Sequence, residues 1–154
     1  MALQYISTGD GLAGFASDSA TNERGAWIKI LNDTGTTSVK GSLISASTST
    51  NVAAILQSNE FDAFGVVQES GIAIGSLMRV WVNGAICQVL IVDGKGTTRG
   101  EILVCDATDG RGTTITNPGS GLPAVEIHFK ECGHVLETKS SGTNVLALCM
   151  IHFN

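Results

Sequence analysis

Charge is scarce in this chain. Of its 154 residues only 15% are charged, with nine Lys and Arg against 14 Asp and Glu and a formal net charge of −5. The basic residues are scattered, without a cluster and without interleaved aromatics. That excludes the electrostatic footprint and the stacking platform of a nucleic-acid binder. Aromatics are sparse too. Two Trp and one Tyr leave little for stacking on sugars, which argues against a carbohydrate-binding module. No apolar run reaches the ~18 residues of a membrane-spanning helix, so no membrane partner is expected. Met1-Ala2-Leu3-Gln4-Tyr5-Ile6-Ser7 lacks the basic and apolar regions of a secretory signal. The four cysteines, Cys87, Cys105, Cys132 and Cys149, show no C-x-x-C spacing. Three lie in or beside apolar runs, where a free thiol behaves as a small hydrophobe. Synthesis in a reducing cytoplasm is expected.

Recognisable catalytic patterns are missing as well. Gly9-Asp10-Gly11-Leu12-Ala13-Gly14 spells G-x-G-x-x-G, but dinucleotide binding needs it between a buried strand and a helix. Leu3–Ser7 makes a poor buried strand, and Phe15–Asn22 has no helical period. Asp93-Gly94-Lys95-Gly96-Thr97-Thr98 lacks phosphate-loop spacing and reads as a hairpin loop. His128, His134 and His152 fall on separate strands or strand ends without ligand spacing, so they read as surface residues, not zinc ligands. No catalytic, cofactor or metal residue is assigned, and the chain is not expected to be an enzyme.

What the sequence does have is a repeat. Phe64-Gly65-Val66-Val67-Gln68-Glu69-Ser70 and Cys132-Gly133-His134-Val135-Leu136-Glu137-Thr138 share the frame Gly-x-Val-x-Glu-(Ser/Thr). Each precedes a loop ending in glycine, Gly75 or Gly142, and an apolar run, Leu77–Val82 or Val145–Ile151. Such self-similarity marks one supersecondary unit used twice, here strand, tight turn, strand. Gly65, Glu69, Gly133 and Glu137 are its structural residues. The two carboxylates are read as acceptors for backbone N–H groups of the loops that follow; a glycosidase pair is the alternative.

At 15.9 kDa the chain is most simply one domain plus a terminal extension, large enough to bury roughly 68–70% of its unfolded surface. Residues 1–25, rich in Gly, Ser, Thr, Ala and Asp, read as an N-terminal arm that docks elsewhere or is disordered. Residues 26–154 read as an all-β domain, a small barrel or sandwich. Ala26–Leu31 alternates before the turn cluster Asn32-Asp33-Thr34-Gly35, Val39–Ser45 holds a short strand, and Asn51–Gln57 is a strand or a helical turn. Met78–Val82 and Ala85–Val92 flank Asn83-Gly84 and predict a type I′ hairpin. Glu101–Cys105 is a strand that Asp106–Gly110 turns back, and Val125–Phe129 alternates with Val125, Ile127 and Phe129 inward. Val145–Ile151 is apolar on both faces, so it is either central or a subunit contact. The scarcity of charge favours the contact, with Val145, Leu146, Leu148 and Met150 as its residues.

Four phrases carry a family resemblance. They are Asn32-Asp33-Thr34-Gly35 with Lys40-Gly41; Phe64–Gly71 with Gly84; Arg99–Val104 with Asp106–Gly110; and Glu131–Glu137 closing with His152-Phe153-Asn154. In this order, over residues 26–154, the chain resembles the head-decoration (capsid cement) proteins of bacteriophages. The resemblance implies a small β-rich homotrimer, made in the host cytoplasm, that sits on the outer capsid surface of the virion. There it would bind the major capsid protein, bridge capsomers and stabilise the assembled head, with no catalytic residues. A tail or head-fibre component is the alternative within virions, and a trimeric β enzyme with sites between subunits is the alternative from another class.

Overall fold

The computed structural model describes residues 4–6, 11–47, 52–55, 62–106, 108–116 and 129–153, with the backbone alone for 4–6 and 52–55. Val125–His128 and the loop at 117–121 lie outside the described residues. Every named element is a strand: β1 (Gln4–Ile6), β2 (Ala13–Asp18), β3 (Glu23–Asn32), β4 (Leu43–Ala46), β5 (Val52–Ile55), β6 (Ala63–Val67), β7 (Leu77–Trp81), β8 (Ile86–Leu90), β9 (Ile102–Cys105), β10 (Gly112–Ile115), β11 (Glu131–Val135) and β12 (Leu146–Ile151). The all-β expectation holds, and Asn51–Gln57 contains a strand, not a helical turn.

The strands close into two rings. In the first, β3 pairs in parallel with β5, and antiparallel pairs β5–β4, β4–β6, β6–β7 and β7–β3 complete the circuit. The second runs β8, β10, β9, β11, β12 and back to β8, with a parallel bridge from Ile91 to Gly112 in the place of β3–β5. Closure removes exposed strand edges, so the architecture is that of small barrels, not a sandwich.

The two rings correspond residue by residue. Leu43 pairs with Val66 and Ile44 with Gly65, as Ile102 pairs with His134 and Leu103 with Gly133. Both ladders then slip by one residue, at Phe64 and at Cys132, so even the β-bulge recurs. The same side-chain clamp holds each ring. Ser38 Oγ donates to the Glu69 carbonyl at 2.8 Å and Thr97 Oγ1 to the Glu137 carbonyl at 2.7 Å. In return the Lys40 amide donates to Ser70 Oγ and the Arg99 amide to Thr138 Oγ1.

Each ring has its own apolar filling. Ile44, Val67, Met78 and Val80 occupy the first, with Ile28, Ile30, Phe64 and Ile72 packed against them. Cys87, Val89, Leu103, Cys132, Val135, Ala147 and Cys149 stand at the matching strand positions of the second and are all buried. Full burial of side chains such as Ile44 or Met78 stabilises by about 1.5–3 kcal/mol each.

Two expectations need correction. Asn83-Gly84 does not close a hairpin, because β7 pairs with β3 and β6 whereas β8 pairs with β12 and β3. The Ala85 amide donates to the Val82 carbonyl, and only Gly84 (φ 86°) has a positive φ, which is a type II turn linking the rings. The expected arm also contributes β1 and β2 to the sheet. β2 pairs with β3 along its whole length and with β1 on its other side. Ala16 lies in the core, and Glu23 at the start of β3 is 3% exposed. Gly14, the last glycine of the G-x-G-x-x-G string, sits in β2, where an added Cβ would meet the Trp27 ring at 2.8 Å. It is an element of packing and not a turn around a phosphate.

Candidate functional site

The structural glycines of the repeat do the same work in both rings. Gly65 and Gly133 face the neighbouring strand so closely that an added Cβ would lie 2.9 Å from the Trp81 carbonyl oxygen and 2.2 Å from that of Met150, respectively. Glu69 and Glu137 differ from expectation. The clamp uses their main-chain carbonyls, and the residue after each supplies the hydroxyl that accepts the Lys40 or Arg99 amide. The Glu137 carboxylate pairs with Lys139 Nζ at 2.8 Å and accepts from the Leu148 amide on β12, not from the loop that follows.

β12 is central, hydrogen-bonded to β8 and β11. Its two faces are now distinct. Ala147, Cys149 and Ile151 are buried, whereas Leu146 and Leu148 are half-buried and Met150 is 39% exposed. Val145, before the strand, is half-buried and packs against the core. Phe129, expected to face inward on a strand, has helical backbone and is 57% exposed.

Beside this face the second ring gathers three polar side chains that sequence spacing separates. His134 on β11 and His152 just after β12 both approach Glu131 Oε1 through Nε2, at 3.4 and 3.2 Å. The imidazole centroids are 5.0 Å apart. In a regular strand Glu131 and His134 would point to opposite sides, since side chains alternate. The bulge at Cys132 inserts one residue and restores both to the same face. His152 arrives because its amide donates to the Cys132 carbonyl at 3.0 Å. Among the described residues this is the one group of three His, Cys, Asp or Glu side chains with ligand atoms mutually within 4.8 Å. His128 lies outside the described residues. No spacing rule finds this cluster. Its signal is Glu131 two residues before the repeat's glycine and His134 just after it, combined with a bulge at Cys132 that is legible only from the partner strand.

The bulged residue itself faces inward and meets a second thiol: Cys105 Sγ and Cys132 Sγ are 2.9 Å apart. Hydrogen bonding from Cys132 holds the Cys105 thiol below the ordinary thiol range, and the same contact together with burial pushes Cys132 up. Burial also pushes Cys87 well up, and Cys149 up to about 12. Because the thiolate is the nucleophile, Cys105 is expected to react first with iodoacetamide at neutral pH while Cys87 and Cys149 stay unmodified. Diamide, accepting two electrons and two protons, is expected to join Cys105 to Cys132. Peptide mapping checks both; equal labelling of all four cysteines would contradict this ordering.

On the N-terminal side, β2 presents Phe15, 63% exposed, and Leu12 just before it is 66% exposed. No protein-family model matches the chain, and no curated protein does. Among solved structures, the head fiber gp8.5 N base of bacteriophage phi29 is similar with a TM-score of 0.47 and 15% identity, over 81% of this chain and 92% of that one.

Proposed function

We propose that this chain is a non-catalytic structural component of a bacteriophage head that docks on the assembled capsid as a decoration protein. The observation that carries this reading is strand β2 with the residue before it. Its inner side is tied to the first ring through β3, while Leu12 and Phe15 stand exposed on a chain otherwise poor in surface charge. Large apolar side chains on a rigid support are the anchors of a docking interface. The resemblance of the ordered phrases to capsid cement proteins supports the major capsid protein as the partner. A protein that binds the assembled lattice and not its free subunits stabilises that lattice by mass action, and trimerisation raises its avidity through effective concentration. The outward face of β12 (Leu146, Leu148 and Met150) is the surface proposed for the trimer contact.

Cosedimentation tests this reading. The protein is expected to pellet with filled heads and not with unassembled capsid subunits. Phe15→Ser is expected to release it about tenfold faster, since interface variants act mainly on dissociation. Leu148→Asp, which places a carboxylate in an apolar contact, is expected to convert the trimer to monomer in light scattering. Equal binding to free subunits would overturn the decoration reading. Labelling confined to projecting fibres would replace it with the head-fibre one.

A further inference from the structure

We propose that Glu131, His134 and His152 form a binding site for one zinc-class divalent cation, which clips the C-terminal segment to β11. The donor set is chemically apt: two imidazoles and a carboxylate suit zinc and its transition-metal neighbours, whereas magnesium and calcium prefer oxygen ligands. The geometry is close to assembled. A tetrahedral ion with donors at about 2.0–2.1 Å holds them roughly 3.3 Å apart. Glu131 Oε1 already lies 3.4 Å from His134 Nε2 and 3.2 Å from His152 Nε2, and all the ligand atoms lie within 4.8 Å of one another. Convergence asks only that the two imidazole ligand atoms, within 4.8 Å of each other, close to about the tetrahedral spacing. The His134 and His152 side chains are 43% and 32% exposed, which leaves the ion an approach from solvent and room for a water ligand.

The duplication supplies an independent argument. The bulged strand occurs in both rings, so the first ring shows what the scaffold alone requires at these places. The residue aligned with Glu131 is Ala63 and that aligned with His134 is Val66, both buried and apolar. Asn83 stands two residues past Trp81 as His152 stands two past Met150. The fold therefore needs none of the three polar groups. The second ring has acquired a carboxylate and two imidazoles at one point, with both Nε2 atoms turned to the same carboxylate oxygen. The clip would join the first and fourth residues of β11 to the segment beyond β12, where Phe153 packs against the core.

The test is metal binding by the full-length protein after chelator treatment and desalting. One zinc ion per chain is expected by calorimetry and by metal analysis, with a higher melting temperature in zinc and no change in magnesium. His134→Ala and His152→Ala are each expected to weaken binding by more than the about 10–100-fold that loss of an outer-shell partner costs. Both variants should melt like the parent in chelator, which separates lost metal from lost fold. Cobalt substitution should give the visible absorption of a four-coordinate site in the parent and not in the variants. No binding at micromolar zinc would overturn the site, as would zinc affinity retained in the His134→Ala/His152→Ala double variant.

Discussion

Gly133→Ala is expected to destabilise the protein by about 2–4 kcal/mol, the upper range of overpacking. That is a large share of the 5–15 kcal/mol typical of a domain, and it lowers the melting temperature by about 10 °C. An added Cβ would stand 2.2 Å from the Met150 carbonyl oxygen and 3.0 Å from the Ile151 Cα. Backbone atoms in a paired strand cannot move aside as a side-chain end can. The φ of +151° adds a conformation that residues with a Cβ rarely adopt. Gly65→Ala should behave alike, since its Cβ would meet Val80 Cγ1 at 2.3 Å and the Trp81 carbonyl oxygen at 2.9 Å. Gly100→Ala is the control. Its φ is +91° but nothing lies within 4 Å of the added carbon, so only backbone strain of about 1–2 kcal/mol is expected. Urea denaturation of the three variants checks the order. Equal losses at Gly133 and Gly100 would show that strain, not the close approach of β11 to β12, fixes the repeat's glycine.

Much of this architecture is legible in the sequence because strands buried on one face alternate. Ile28 and Ile30 on β3, and Met78 and Val80 on β7, fill the first ring as the pattern requires. The repeat is visible where it is spelled identically, in Gly-x-Val-x-Glu. Its other half is hidden by conservative exchange: Ser38, Lys40, Gly41 and Leu43 stand where Thr97, Arg99, Gly100 and Ile102 stand, with the same hydrogen bonds. Local turn chemistry misleads at Asn83-Gly84. A dipeptide states that the chain turns but not which strands pair afterward, and here the turn ends one ring and begins the next. Cys105 and Cys132, like Glu131, His134 and His152, meet only through strand pairings and a bulge. Neither has a signature in linear spacing.

The same repeat explains the pattern of small residues at the junction of the rings. Gly41 and Gly100 are equivalent, yet only Gly41 is crowded: its Cβ would meet Leu146 Cδ2 at 2.6 Å and the Leu90 amide nitrogen at 2.8 Å. The Leu90 amide donates to the Gly41 carbonyl and the Leu43 amide to that of Gly110. The first ring thus uses its clamp corner to seat the second ring, while the matching corner of the second ring is open.

Lys40→Met is expected to cost about 2–4 kcal/mol, because it strands a buried carboxylate at that junction. Glu23 is 3% exposed. Its Oε2 accepts from Lys40 Nζ at 2.6 Å and from Thr21 Oγ1 at 2.8 Å, while its Oε1 accepts from the Gln88 amide at 3.1 Å. Gln88 belongs to β8 in the second ring, so one carboxylate ties β3, the clamp corner and the neighbouring ring together. Breaking a buried pair by removing one partner costs about 3–5 kcal/mol; the 26% exposure of the Lys40 side chain lets water reach the remaining charge and lowers the figure. Glu23→Gln keeps the shape and an acceptor for the Gln88 amide. The Glu23→Gln/Lys40→Met double variant should therefore recover about 1–3 kcal/mol relative to additivity. Arg99, the counterpart of Lys40, turns instead to the Leu136 carbonyl within its own ring, and Arg99→Met is expected to cost under about 1 kcal/mol. Urea denaturation of the four variants measures these differences. Additive losses at Glu23 and Lys40 would mean that the rings are joined by their apolar contacts and main-chain bonds alone, with the ion pair contributing nothing to their cohesion.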